Sequence, residues 1–466
     1  MSWLKEPSST GLKLFGTSGI RGRLGHEVSE ELFYKMGLSL GQYLDNSGVV
    51  VIGCDLRPES KLIYPRVLNA LRDSGLEVKS AGEVPTPALL HYELQVKADA
   101  AIMVTGSHTV PGVTGLLFFK DDGGESDEEM ERKLERIYFG SKFTTASNRG
   151  SIENVDALFV YQNRLTKLLD RKLEDYKIAF DAGNGSMSGV ATRILIDAGA
   201  SVRPLFDKPD GTFPNRLPYP RKETLKSLSE TTKQCKADFG IGTDGDGDRA
   251  IFVDDMGRVL MGDISGALFA DRELSTHSGS VVAPINSSNL ITDVCERHGS
   301  RLIITKVGPP AIISSIRKNA DVVFGLEETG KYIWPETLLY GDCVYSTFKM
   351  CELLASACSS LSCLVDKLPK YRLEKRMLRY RGCSKERILE EIHHRCLREF
   401  GHEKVTTLDG VRVEFNDKSW MLLRPSGTEP FVRCYAESTT RKKARELAHL
   451  GMRILRESIS AAKLFP

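Results

Sequence analysis

Ala237-Asp238-Phe239-Gly240-Ile241-Gly242, then Thr243, then Asp244-Gly245-Asp246-Gly247-Asp248-Arg249, closed by Ala250-Ile251-Phe252-Val253, is the stretch on which the reading of this chain turns. Two β-like apolar runs bracket an acidic loop. Carboxylates at i, i+2 and i+4 oppose one another's ionisation at short range unless a cation neutralises them. The interleaved glycines let the backbone fold tightly enough for all three side chains to converge. Oxygen-only ligands favour a hard ion such as Mg²⁺, which takes few carboxylates and completes its shell with water or phosphate. The same residues would also make an acidic turn without a ligand, because Asp and Gly are turn formers. An EF-hand calcium loop is excluded: it reserves its sixth position for glycine, where this chain has Arg249, and it needs flanking helices rather than strands.

Working outward, 466 residues are too many for one ordinary core and suggest three or four domains. A 41% hydrophobic and 27% charged composition is that of a soluble globular protein. Lys plus Arg number 64 against 62 Asp plus Glu, so bulk charge does not favour a nucleic-acid partner, while a local positive pocket for a small anion stays compatible. Met1-Ser2-Trp3-Leu4-Lys5-Glu6 begins no apolar stretch of signal-peptide length, and no later run is long enough to span a bilayer. The expectation is a cytoplasmic protein without a membrane partner. Ten scattered cysteines with no Cys-x-x-Cys pair read as free, mostly buried thiols rather than zinc ligands or disulfides.

Strand and helix signals alternate. Strands are expected at 49–53, 100–105 and 116–119, with a helix over 62–71 that must accommodate Pro65 at a first turn or kink. Ser126-Asp127-Glu128-Glu129 reads as a capping box opening the next helix, and 144–151 as a linker. A second α/β unit starts with the strand 177–181, and a third with 280–285. The tail carries strands near 411–415, 420–423 and 431–436 and one long helix, the pattern of a smaller α+β domain.

Four further constellations carry chemistry. Thr105-Gly106-Ser107-His108 follows a strand and places a hydroxyl beside an imidazole, a nucleophile with its base, a phosphate acceptor, or a merely polar turn. Arg424-Pro425-Ser426-Gly427-Thr428-Glu429-Pro430 with Arg433 offers guanidiniums, hydroxyls and backbone donors to a phosphate; Pro and Gly there also fit a plain hairpin. Gly325-Leu326-Glu327-Glu328-Thr329-Gly330-Lys331 can accept paired hydrogen bonds from vicinal sugar hydroxyls, or be a solvated turn. Phe15-Gly16-Thr17-Ser18-Gly19-Ile20-Arg21-Gly22 brings an arginine on a glycine-rich loop.

Together, and in this order, these motifs resemble the α-D-phosphohexomutases, with an archaeal-type flavour in Glu327-Glu328 followed by Tyr332-Ile333-Trp334-Pro335-Glu336. The resemblance covers almost the whole chain. It implies an α/β fold of three similar α/β domains with mixed sheets plus a C-terminal α+β domain around a central cleft: 1–150 with a phosphoserine loop, 151–256 with the metal loop, 257–370 with a sugar loop and 371–466 with a phosphate loop. It implies that Ser107 carries a phosphoryl group and that Asp244, Asp246 and Asp248, with a phosphoserine oxygen, hold Mg²⁺. His108, Arg21 and Arg249 would assist at the phosphoserine. Glu327 and Thr329 would grip the hexose hydroxyls, Lys331 would bind substrate phosphate or serve as a base, and Arg424, Ser426, Gly427, Thr428 and Arg433 would hold the non-reacting phosphate. The implied activity interconverts hexose 1-phosphate and hexose 6-phosphate through a hexose 1,6-bisphosphate, by a monomer or homodimer. Asp210-Gly211-Thr212-Phe213-Pro214 and Gly53-Cys54-Asp55-Leu56-Arg57 also fit.

The serine loop departs from the family pattern at Thr109, Val110 and Thr114, and Leu117 stands where relatives carry a lysine. Lys120 is a poor substitute, because strand alternation turns it away from the face of Leu117. Lys331 ends the sugar loop where bacterial relatives often place histidine. These departures keep open two other readings, a sugar-phosphate binding or regulatory protein that has lost its chemistry, and a sugar phosphatase.

Overall fold

Val49–Cys54 reads Val-Val-Val-Ile-Gly-Cys, apolar without alternation, and such a run suits a strand covered on both faces. In the computed structural model, which describes residues 14–140, 143, 146, 148–169, 172–426 and 430–464, this strand lies inside a six-stranded sheet. The sheet order is Ile20–Arg23, Val113–Lys120, Ala100–Val104, Val49–Cys54, Glu77–Glu83, Ile152–Asn154. Val49–Cys54 pairs in parallel with Glu77–Glu83 and Ala100–Val104, whereas Val113–Lys120 runs antiparallel to both of its neighbours. The mixed first sheet was expected. A second sheet, ordered Ile251–Asp254, Phe239–Gly242, Lys177–Asp181, Ser201–Leu205, is parallel except at its first pair. These two sheets belong to one compact unit, which takes the residues up to Leu260 and recovers Lys331–Leu361 from later in the chain.

The other unit holds Met261–Gly330 and the residues from Ser362 onward. Its Ser280–Pro284 pairs in parallel with Leu302–Thr305 and Val322–Leu326. A five-stranded antiparallel sheet follows, ordered Arg372–Arg379, Phe431–Ser438, Trp420–Pro425, Val411–Glu414, Lys404–Thr406, with the helices Lys385–Phe400 and Arg441–Leu464 sharing its core. Three α/β domains and a distinct antiparallel fourth are therefore present, as the sequence implied.

Local details differ from expectation. The helix expected from a capping box at Ser126 runs Glu128–Gly140, and Asp127 caps it by accepting from the Met130 amide at 2.9 Å. Asp127 is also tied to Lys120 at 3.0 Å, so Lys120 is engaged away from Leu117. Pro65 sits inside one continuous helix, Pro58–Asp73, rather than in its first turn. Its exposed position explains the tolerance: the hydrogen bond it cannot donate is lost on the solvent side. The strand Arg372–Arg379 escaped the apolar pattern because its sequence, RLEKRMLR, is mostly charged. The linker expected over 144–151 lies partly outside the described residues.

Among the described residues no single helix is long and apolar enough to cross a membrane. All ten cysteines are free thiols, with Cys54 and Cys434 buried as anticipated.

Candidate active site

The acidic loop connects Phe239–Gly242 to Ile251–Asp254, and it closes as its glycines allow. Gly247 takes φ +86°, a conformation that favours glycine. A side chain at Gly245 would press on the main-chain oxygen of Ser107 at 2.6 Å. Asp244, Asp246 and Asp248 are buried, with carboxylate oxygens all within 4.8 Å of one another. Burial, then the charges of Asp248 and Asp246, push the Asp244 carboxyl well up; burial and Asp248 raise Asp246. Asp248 moves down: burial opposes its charge, but Lys331 and Arg249 outweigh it.

These oxygens suit a hard cation. Among the described residues, Oδ1 of Asp246 and Oδ1 of Asp248 accept no hydrogen bond although both are buried. The other oxygens are held: Asp246 Oδ2 by the Thr86 hydroxyl at 2.8 Å, and Asp244 Oδ1 by the amides of Gly247 and Arg249 at 3.2 and 3.3 Å. Two unsatisfied buried carboxylate oxygens beside a third carboxylate, all oxygen donors, fit Mg²⁺.

Ser107 meets this loop. Its hydroxyl donates to Asp244 Oδ2 at 3.1 Å and lies 3.3 Å from His108 Nδ1. Its backbone has φ +49°, a strained value for a residue with a side chain. The strain is over-determined by buried partners. Arg57, wholly buried, donates to the main-chain oxygens of Ser107 and Thr109, each at 2.6 Å, of Val110 at 2.9 Å and of Val113 at 3.2 Å. Asp55 sits 3.2 Å from Arg57 Nε and accepts from the Thr105 hydroxyl and the Gly106 amide. The Phe213 ring covers the Arg57 guanidinium at 4.8 Å. The two stretches around Asp55 and Phe213 thus brace the serine loop.

Arg249 Nη2 donates to His108 Nδ1 at 2.9 Å, which makes that nitrogen an acceptor and fixes a neutral imidazole. Burial, then the cations Arg249 and Arg21, hold His108 well below its usual range. Tyr219 stacks on both His108 and Arg249 at 5.5 and 5.7 Å. Arg216 bridges Asp181 and the Thr243 main-chain oxygen, at 2.9 and 2.7 Å, under the start of the acidic loop. Leu117, by contrast, is fully buried, its side chain close to Gly19.

Of the residues expected from sequence, Ser107, His108, Arg21, Arg249 and the three aspartates all gather within this unit. Lys331 joins them: its ammonium lies 2.8 Å from Asp248 Oδ2, both side chains buried. Thr86, Arg57, Tyr219, Phe213, Arg216 and Tyr340 were not singled out individually from sequence. Only Asp55-Leu56-Arg57 after an apolar strand, and the stretch around Phe213, gave any signal.

In the other unit Glu327 is buried, and the Thr329 hydroxyl lies 3.5 Å from it. The sugar-loop backbone packs on Gly262, where a Cβ would meet the Glu328 oxygen at 2.5 Å. Glu328 itself pairs with Lys375 at 2.6 Å. Arg424 and Arg433 are register partners on adjacent strands, and Arg424 is held by Asp409 at 2.8 Å. Ser426 is buried beside them, and Gly427 and Thr428 lie outside the described residues.

Comparison with known proteins matches these features. Models of the phosphoglucomutase/phosphomannomutase α/β/α domains I, II and III match residues 12–145, 159–257 and 261–371, and that of its C-terminal domain matches 387–452. The chain is 33% identical over 458 residues to a phosphoglucomutase/phosphomannomutase of Thermococcus kodakarensis, covering 96% of this chain and 99% of that protein. It is 34% identical to a probable phosphoglucosamine mutase of Methanopyrus kandleri, covering 97% and 99%. The crystal structure of a phosphoglucomutase/phosphomannomutase family protein from Burkholderia thailandensis superposes with a TM-score of 0.83 at 26% identity, covering 97% of this chain and 98% of that one. This chain belongs to the phosphoglucomutase/phosphomannomutase family of the α-D-phosphohexomutase superfamily, whose members are phosphotransferase isomerases.

Proposed function

We propose that this protein is a Mg²⁺-dependent phosphohexomutase that interconverts hexose 1-phosphate and hexose 6-phosphate, with glucose and mannose favoured and glucosamine as a further substrate. The observation that carries the reading is the Ser107 hydroxyl, held in strained backbone 3.1 Å from a carboxylate of the acidic loop. Asp244, Asp246 and Asp248, with a phosphoserine oxygen, would hold the divalent ion, which supplies charge neutralisation to a transferring phosphoryl group.

The residues of the chain do the rest. With Ser107 phosphorylated, the bond between phosphorus and Oγ breaks as phosphorus bonds the free sugar hydroxyl, and the hydroxyl proton ends on Ser107 Oγ. Neutral His108, with Nδ1 as acceptor, lies beside that oxygen, and Arg249 and Arg21 offset phosphoryl charge. Glu327 and Thr329 orient the hexose hydroxyls. Arg424, Ser426, Gly427, Thr428 and Arg433 hold the phosphate that does not react. The 1,6-bisphosphate then turns over, and its other phosphate returns to Ser107. The names of relatives, which include phosphoglucosamine mutase, support a substrate range wider than one sugar.

The test is direct. With Mg²⁺ and a trace of hexose 1,6-bisphosphate the protein converts glucose 1-phosphate to glucose 6-phosphate, and Ser107→Ala abolishes conversion; undiminished turnover in that variant sinks the phosphoserine mechanism. Burial of Leu117 at a position where relatives carry lysine favours a second reading, a sugar-phosphate binder without turnover. Intact mass separates the two, since a stable phosphoryl group on Ser107 belongs to the enzyme.

A further inference from the structure

Lys331 occupies a place made for its full length. Gly341 lines the stem: a Cβ there would come 2.7 Å from Lys331 Cγ and 2.1 Å from the Asp248 main-chain oxygen. The Tyr340 ring lies under the ammonium, 3.7 Å from its centroid. Asp248 Oδ2 closes the end at 2.8 Å, and both charged groups are 2% exposed. The acidic loop therefore carries three buried carboxylates facing three cations of the chain itself: Lys331, Arg249 at 3.6 Å from Asp244 and 3.8 Å from Asp248, and Arg21 acting on Asp246.

We infer that Lys331 is a resident counter-ion of the metal loop, which holds the aspartates together without a divalent ion and weakens the affinity for that ion when it binds. The inference rests on the reading of the aspartates as a metal loop. It reassigns the Lys331 ammonium from the substrate to Asp248, a carboxylate of the metal loop. Two effects compete. A neighbour that bonds a metal ligand can orient it and strengthen binding. A positive charge close to an incoming dication repels it, and inside a protein that repulsion is poorly screened. Asp248 needs little orienting from Lys331, because Gly341 packs on its main-chain oxygen and the Gly247 and Arg249 amides on either side of it are bound to Asp244 Oδ1. Charge therefore decides the sign.

The test measures Mn²⁺ binding by calorimetry, without sugar, in the full-length wild type, Lys331→Gln, which keeps a hydrogen-bond donor but no charge, and Lys331→Arg. Lys331→Gln is expected to bind Mn²⁺ about tenfold more tightly, and to melt at a lower temperature than wild type in EDTA, with the deficit removed by Mn²⁺. Lys331→Arg should stay near wild type in both. Equal or weaker Mn²⁺ binding by Lys331→Gln overturns the inference. Should Lys331→Gln not fold, Tyr340→Phe, which keeps both the ring under the ammonium and the charge itself, must leave affinity within about threefold of wild type; a larger gain overturns it. Failure of wild type to bind Mn²⁺ at all overturns the metal reading itself, and is thereby distinct.

Discussion

At the scale of single residues, the chemistry is concentrated where donors of low exposure leave one oxygen unsatisfied. Thr86 illustrates this: its hydroxyl holds one oxygen of Asp246, and the other has no hydrogen-bond partner among the described residues. Thr86→Val, nearly isosteric, should weaken Mn²⁺ binding by about 10–100-fold in calorimetry, and Thr86→Ser should restore it. Unchanged affinity in Thr86→Val would mean that the threonine only packs. The contrast with the aspartates explains what sequence reading could see. Asp244, Asp246 and Asp248 are contiguous, so their convergence follows from local chain geometry. Thr86 lies 160 positions away from Asp246, and Arg57 is 50 from Ser107. Tyr219 and Arg216 likewise acquire meaning only once the strands are paired, and a lone Tyr or Arg carries no local signature.

At the scale of elements, sequence gave strand and helix identities well wherever an apolar run or period existed, and boundaries less well. The helix Glu128–Gly140 shows why. Ser126 and Asp127 are both good caps by type, and the choice falls to the one also anchored by Lys120. Asp127→Ala should therefore cost about 0.5–2 kcal/mol in urea unfolding, and Ser126→Ala, whose hydroxyl has no partner among the described residues, much less. A larger loss from Ser126→Ala would reverse the assignment. The helix Gly262–Thr276 gives a pH prediction. Asp263 lies in its first turn, where the helix terminus favours the carboxylate. Burial, then Glu328 and Glu437, nevertheless push its carboxyl up to about 8. An unfolded Asp loses its proton near about 3.9. Between these values the folded chain holds a proton that the unfolded chain has released, so stability falls as pH rises through the window and is fully present below it. Denaturation midpoints at pH 5.5 and 8 should differ less in Asp263→Asn than in wild type; identical pH dependence would refute a protonated Asp263.

At the scale of the molecule, the two compact units make different demands on ligands. The unit with the aspartates should gain protection from Mg²⁺ alone, because a ligand stabilises whatever folded region binds it. Hydrogen exchange read by peptide is expected to slow over 86–108, 239–254 and 331–345 on adding Mg²⁺, and to stay unchanged over 372–438. Slowing confined to the second group would move the cation to another site. The family-level architecture was legible because motif order spans the chain. The brace of the serine loop by Arg57 and Phe213 was not, since it needs contacts from two domains of one unit.

The return of Lys331–Leu361 to the first unit has a consequence for biosynthesis. A chain emerging from the ribosome presents Asp248 first and Lys331 roughly 80 residues later, a delay of ~4–16 s at ordinary elongation rates of about 5–20 residues per second. Through that interval the nascent acidic loop has Arg21 and Arg249 but not the Lys331 ammonium, so one of its three resident positive charges is missing. The first unit therefore acquires its full set of internal counter-charges, and the last segment of its fold, only once Lys331–Leu361 has been synthesised.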